Sequence, residues 1–249
     1  MGTASLRTRP TGNQNPTLPG SANNTANANH ATKDHLKIAS LNMRGRTSTT
    51  QGYRQEKWFE ISRVMNTHKI AILAIQESHL TDELADSVRA AFDTRLALEY
   101  SPLPESRNAA GVALVFNKGL INTGAIQHEE IIPGRAILAS IPWHGDTNIK
   151  IMNIYAPNDA KSNGAFWENL NVITSNRPDL KPDLLVGDFN LVEDSLDRLP
   201  CHSDDAEAVA ALGELKCNLN LVDGWRPTFP DKRGYTHQHA PNASQGRID

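Results

Sequence analysis

The reading of this chain turns on the stretch DLLVGDFNLVED, Asp183 to Asp194. Leu184, Leu185 and Val186 form an apolar run of the length of a short buried strand, and Gly187 ends it. Side chains alternate along an extended backbone, which predicts Asp188 and Asn190 on one side and Phe189 on the other. A carboxylate and a carboxamide at a strand end suit a turn, a helix cap or half of a phosphate-cleaving site. What the rest of the chain delivers to the same place decides between them.

Upstream, the pattern that produces this strand end recurs. LKIASLN, from Leu36, alternates like a strand, and RQEKWFEISRVMNTH sets Trp58, Ile61 and Met65 at helical spacing with Val64 beside them. IAILAIQE (Ile70 to Glu77) is a fully apolar strand that ends in acid. TDELADSVRAAF follows as a helix with Thr81 as its N-cap. Three strand-like stretches come next: GVALVFNK, RAILASIPW and IKIMNIYAP. A helix over NGAFWENLNVITSN then leads to the opening strand. Downstream, Asp204 and Glu207 read as a capping box for DDAEAVAALGELKCNL, with Val209, Leu212 and Leu215 on one face and Cys217 as a small core residue. Helices alternate with strands around a central meander. The fold class is α/β, with mixed sheets flanked by helices.

Composition narrows the function classes. Of 249 residues, 39% are hydrophobic and 21% charged, an ordinary globular balance. Lys plus Arg (25) against Asp plus Glu (28) gives a net charge of −3, so no overall basic field marks an architectural nucleic-acid binder. A local basic rim on an enzyme stays compatible with that charge. Cys201 and Cys217 make no disulfide framework and point to a reducing, intracellular setting, the nucleus included. No run is long and apolar enough to span a membrane, and Met1 to Leu18 lacks the apolar stretch of a signal peptide. TGNQNPTLPGSANNTANANHATKD is Asn, Thr, Ala, Gly and Pro with almost nothing to bury. The domain boundaries expected are therefore a disordered tail over 1–35 and one globular unit over 36–249. Cys201, His202, Cys217, His237 and His239 are zinc-ligand types, but their spacing matches no zinc pattern.

Polar residues collect at the predicted strand ends. Asn42 follows the first strand, Glu77 ends the second, Tyr155 and Asn158 flank the end of IMNIYAPN, and Asp188 and Asn190 end the opening strand. Each has a bland alternative: Asn42 as a turn residue before Gly45, Glu77 as a helix cap, Tyr155 as a half-buried aromatic, Asp188 with Asn190 as an Asx turn. Open α/β sheets present ligands at their strand ends, and six such residues in one chain favour a site.

LNMRG, AIQESHL, NIYAPN, LLVGDFN and GRID occur in this order along Leu36 to Asp249. Together they resemble the endonuclease/exonuclease/phosphatase family, which includes deoxyribonuclease I, apurinic/apyrimidinic endonucleases and inositol polyphosphate phosphatases. The flavour is that of the endonuclease domains of non-LTR (LINE-type) retrotransposons, with QESHL and DGWRPTFPDKRGYTH resembling their segments. The resemblance implies a four-layer sandwich of two mixed sheets covered by helices, and Mg²⁺-dependent phosphodiester hydrolysis with DNA as substrate. Mn²⁺ is an alternative ion. It also implies roles: Glu77 as principal metal carboxylate with Asn42 beside it, Asp188 as general base or acid, and Asn190 and Tyr155 as donors to phosphate oxygens. Asp249 would orient a histidine and Asn158 would contact the substrate; Arg44, next to Asn42, reads either as a substrate contact on a DNA backbone or as part of a solvated loop. That histidine belongs to a Ser-Asp-His motif that the family carries beyond Arg-Ile-Asp, and Gly246 stands where the retrotransposon pattern has serine. The expectation is an incomplete domain, missing C-terminal strands, with impaired activity. A non-catalytic remnant and a phosphatase of the same fold are the alternatives.

Overall fold

The computed structural model describes residues 36–43, 51–103, 110–143, 145–239 and 244–248. The chain divides at Thr32/Lys33, and the architecture below is that of the second unit. The tail expected over 1–35 lies outside the described residues, as do Arg44 and Asp249.

Two four-stranded mixed sheets stack face to face. The first contains β1 (Ile38–Asn42), β2 (Ile72–Gln76), β3 (Leu96–Ser101) and β4 (Val112–Asn117), in the order β1-β2-β4-β3. The second contains β5 (Gln127–Ile132), β6 (Ala136–Pro142), β7 (Asn148–Tyr155) and β8 (Leu184–Asp188), in sequence order. Helices α1 (Gln51–His68) and α2 (Asp82–Phe92) cover the first sheet, while α3 (Ala160–Asn176) and α4 (Ala206–Leu219) cover the second. A small third sheet joins β9 (Arg198–Leu199), β10 (His237–His239) and β11 (Ser244–Gly246), and the four-residue helix α5 (Trp225–Thr228) lies between β9 and β10 in sequence.

Strand alternation builds the layers. In β2, Leu73 and Ile75 face α1 and α2, meeting Trp58, Ile61, Met65, Val88 and Phe92. Ile72 and Ala74 face the other way, into a core shared with Leu114, Phe116, Ile137, Ile141 and Ile151. Across the second sheet, Leu138, Met152 and Ile154 pack on Phe166, Trp167, Leu212 and Leu215. A fully buried side chain of this size stabilises the fold by about 1.5–3 kcal/mol, so three such layers leave helices on both outer faces. Both faces of β2 and β4 are covered, which is why those strands read as unbroken apolar runs. Thr81 caps α2 as expected, accepting from the Leu84 amide. Asp159 caps α3 in the same way, accepting from Ser162.

Four local expectations are corrected. Asp205, not Asp204, caps α4, accepting from the Glu207 and Ala208 amides; Asp204 instead pairs with Arg198 and accepts from the Val192 amide. Cys217 is exposed, so it fills no core position. Strand β5, QHEEII, had no signal, because this edge strand pairs with β6 alone and its first four residues are exposed. Finally, Asp188 ends β8 and Asn190 takes a left-handed φ of +49°, so alternation does not carry Asn190 to the same side as Asp188.

Candidate active site

Each large sheet contains one parallel pair, β1 with β2 and β7 with β8. Parallel strands end on the same side, so Asn42 stands level with Gln76 at the end of one pair, and Tyr155 level with Asp188 at the end of the other. The stacked sheets set β1 and β2 against β7 and β8. Four polar residues from two sheets therefore converge at one edge of the sandwich.

Their geometry is tight. The Asn42 side-chain amide donates to Glu77 Oε1 at 2.9 Å and to Asp188 Oδ2 at 2.7 Å. The Tyr155 phenol donates to the same Glu77 oxygen at 3.2 Å. Asp188 is only 3% exposed, and its second oxygen, Oδ1, accepts from the Asn190 backbone amide at 3.0 Å. That last contact is an Asx turn. The turn thus uses one carboxylate oxygen, and the other joins Asn42. Asn190 directs Nδ2 to the Ala156 carbonyl at 2.8 Å, and this donor carries a second N–H.

Backbone conformation aims these groups. Glu77, His79 and Asn190 all sit at positive φ, between +46° and +49°, a conformation costing about 1–3 kcal/mol each for residues other than glycine. At Glu77 it turns the chain sharply off β2 and carries the carboxylate over the sheet edge. Gly187 has φ +136°, and a Cβ there would run into the Ile154 carbonyl, so only glycine brings β8 this close to β7.

Electrostatics keeps the phenol a donor. Burial pushes the Tyr155 hydroxyl well above the ordinary tyrosine value, and the negative charge of Glu77 adds to it. The Arg135 guanidinium lies 4.8 Å over the Tyr155 ring and donates to the Tyr155 carbonyl, fixing ring and backbone together.

The donor set suits a hard cation. Glu77, Asp188, the Asn42 carbonyl oxygen and the Tyr155 hydroxyl are all oxygen donors, and Mg²⁺ needs only one or two carboxylates beside its waters. Glu77 is in no ion pair among the described residues, and only its Oε1 accepts a hydrogen bond there. Among the described residues no three His, Cys, Asp or Glu side chains converge into a metal cage, and Cys201 and Cys217 are both exposed.

Of the residues expected at the site, Asn42, Glu77, Tyr155 and Asp188 meet directly, and Asn190 joins through the turn. Asn158 is exposed on the loop after β7 and makes no hydrogen bond to the other five among the described residues. A cavity of ≈ 490 Å³ lies elsewhere, lined by Leu184, Phe189, Leu212, Leu221 and Ile248; none of the four converging residues lines it. Arg135, Gln76 and Asn153 were missed. For Gln76 in AILAIQE and Asn153 in IKIMNIY the signal was a polar residue inside an apolar strand; Arg135, which precedes β6, carried none.

The chain has relatives among known proteins. The model of the Endonuclease/Exonuclease/phosphatase family matches residues 39–249. The "Transposon TX1 uncharacterized 149 kDa protein" of Xenopus laevis is 27% identical over 218 residues, which is 86% of this chain and 16% of that protein. Among solved structures, an AP endonuclease from Archaeoglobus fulgidus superposes with TM-score 0.60 at 19% identity, over 83% of this chain and 79% of that one. The catalytic domain of Xenopus laevis APE2 gives 0.58 at 17% identity, over 86% and 81%. The AP endonuclease LMAP of Leishmania major gives 0.63 at 16%, over 82% and 72%. At these identities the likeness is one of fold.

Proposed function

The chain belongs to the endonuclease/exonuclease/phosphatase family, and on that premise we propose that it hydrolyses phosphodiester bonds in DNA, nicking one strand as a retrotransposon-type endonuclease. The observation that carries this reading is the meeting of Glu77 and Asp188, from different sheets, on the single amide of Asn42. The TX1 transposon relative supports a retroelement setting, and this chain spans about one sixth of that protein. With DNA as substrate, the setting proposed is intracellular, the nucleus included. No described helix is long and apolar enough to cross a membrane. We assign the activity to residues 36–249.

Glu77 and Asn42 would hold Mg²⁺, or Mn²⁺ in its place. When bound, such an ion supplies Lewis-acid polarisation of a phosphoryl oxygen. The remaining work falls to the chain itself. Asp188, oriented by Asn42 at Oδ2 and by the Asx turn at Oδ1, takes a proton from the attacking water. The Tyr155 phenol, kept protonated by burial, would turn its single O–H from Glu77 to a phosphate oxygen when substrate binds and offset charge that develops there. The second N–H of Asn190 is a further donor for a phosphate oxygen. Asn158 and Arg44 would contact the flanking backbone, and Asp249 would orient the histidine that the family resemblance implies.

Nicking of supercoiled plasmid by the full chain in Mg²⁺ tests the reading, with an abasic-site duplex and an inositol polyphosphate as parallel substrates. Asp188→Asn is expected to lower nicking by about 10²–10⁴ while keeping the turn, since its one remaining carbonyl oxygen still accepts from the Asn190 amide. Phosphate release from the inositol substrate without nicking would move the assignment to a phosphatase. Equal rates for Asp188→Asn and the parent would remove Asp188 from the chemistry.

A further inference from the structure

Beneath the site, the two sheets are joined by a pair of buried amides. Gln76 and Asn153 are each 0% exposed. The Gln76 amide donates to Asn153 Oδ1 at 2.7 Å. Asn153 in turn donates to two main-chain carbonyls of the opposite sheet, Ile75 O at 2.9 Å and Ala113 O at 2.8 Å. Ser40, on β1, donates its hydroxyl to Gln76 Oε1 at 3.3 Å. One polar network thus ties β1, β2 and β4 of the first sheet to β7 of the second.

The network sits next to the chemistry. Gln76 immediately precedes Glu77, and Asn153 lies two residues before Tyr155 on the same strand. Asn153 also stands level with Val186, two residues before Asp188. Around it, the inter-sheet core is apolar, with Ile72, Ala74, Val112 and Leu114 against Ile137, Ala139 and Ile151. Apolar contact is non-directional and resists sliding of one sheet over the other only through shape. Hydrogen bonds are directional, and a slip would strand both amides and both carbonyls in a dry interior.

Resting on the phosphodiesterase reading, we propose that Gln76 and Asn153 are positioning residues: their clasp sets the lateral registry of the two sheets and thereby the spacing of Glu77 and Asn42 against Asp188 and Tyr155. The clasp touches no substrate and acts through the backbone of the strands whose ends carry the acids. A displacement of about 1 Å at a reacting centre costs on the order of 10²-fold in rate. Registry is therefore a quantity that catalysis reads.

Gln76→Met keeps the side-chain length and removes both polar ends of Gln76, leaving Asn153 bonded to its two carbonyls. Assayed well below its melting midpoint, it is expected to lower kcat for plasmid nicking by about 10–100-fold with KM nearly unchanged. Its crystal structure is expected to show Asn42 Nδ2 beyond hydrogen-bond distance of Glu77 or Asp188. Ile141→Ala is the control: it hollows the same core at the far end of β6, opposite Ile149, and should lower the melting temperature without touching kcat. Should Gln76→Met fail to fold, Ser40→Ala loosens one end of the clasp, with a drop of about twofold to fivefold expected in kcat. Wild-type kcat with unchanged site distances in Gln76→Met overturns the proposal, as does unchanged kcat in Ser40→Ala when Gln76→Met does not fold. An equal kcat loss in Ile141→Ala reduces the clasp to a stability device. If the parent chain does not nick DNA at all, the functional reading fails separately, and the site distances in the variant crystal still decide the clasp.

Discussion

Glu77 and Asp197 are both acids drawn away from solvent, and they are held by opposite kinds of partner. Asp197, 1% exposed, accepts a two-pronged contact from Arg247 (Nε at 3.0 Å, Nη2 at 2.8 Å) and a further one from Arg226. Arg247 also reaches Asp223 at 2.6 Å. Glu77 meets only an amide and a phenol among the described residues. Two guanidiniums saturate Asp197, which leaves that carboxylate no free face for a ligand. What it does is anchor a segment. The Arg247 amide donates to the Asp197 carbonyl at 2.9 Å, and the Ile248 carbonyl accepts from Phe189, beside Asp188, at 2.8 Å. Neutral donors, by contrast, orient Glu77 without cancelling its charge, which leaves it able to bind a cation. Two acidic clusters in one fold thus divide into an anchor and the proposed site according to the partners supplied.

The sharpest way to break this comparison is to remove each acid. Asp197→Ala leaves two largely buried guanidiniums without their shared partner, and breaking a buried pair costs about 3–5 kcal/mol. Chemical denaturation should register that loss, while nicking by the folded fraction falls less than tenfold. Glu77→Gln is expected to do the reverse. Nicking drops about 10²–10³-fold, as for loss of one preorganised electrostatic group, and the melting temperature hardly moves. A large stability loss in Glu77→Gln with activity retained would make Glu77 the structural acid and dissolve the distinction.

The two clusters should also fail at opposite ends of the pH scale. Burial works to raise the Asp223 carboxyl, but its bonds to Arg247 and to the Trp225 amide bring it below the ordinary carboxylate value. A lowered folded value means stability that is present above the unfolded value, near 3.9, and lost as pH falls through the folded one. Tyr155 is raised by burial and by Glu77, so its contribution is present below the unfolded value, near 10, and lost as pH rises beyond it. Denaturation curves for Asp223→Asn between about pH 2 and 5 should be flatter than those of the parent. Curves for Tyr155→Phe should be flatter only above about pH 10. The smallest effect expected is in Glu77→Gln, where the alkaline loss shrinks without vanishing, because burial remains the larger cause. An alkaline limb unaltered in Tyr155→Phe would show that the phenol does not feel its surroundings as described.

Much of the architecture was legible in the chain itself. Trp58, Ile61 and Met65 at helical spacing and the unbroken apolar runs of β2 and β4 are properties of single segments, and the folded structure keeps them. Thr81 was legible as a cap for the same reason. Strand β5 was not, since an exposed edge strand has no apolar face to announce it. Asp205 and Asp204 differ by one position, and which of them caps α4 depends on Arg198 claiming the other.

For the site, the division follows the range of the forces. Local sequence determined which residues end the strands, because an apolar run that stops in Asn42, Glu77, Tyr155 or Asp188 says so without reference to any other segment. Only the tertiary structure decided that these ends meet. Asn42 touches Asp188 across 146 positions and Gln76 touches Asn153 across 77, contacts that exist because two parallel pairs, one in each sheet, stack with their carboxyl ends on one edge. Periodicity records which face of a segment is buried, not which other segment buries it; that choice belongs to the packing of two sheets into one dry core, held in register by polar groups that have no other place to bond.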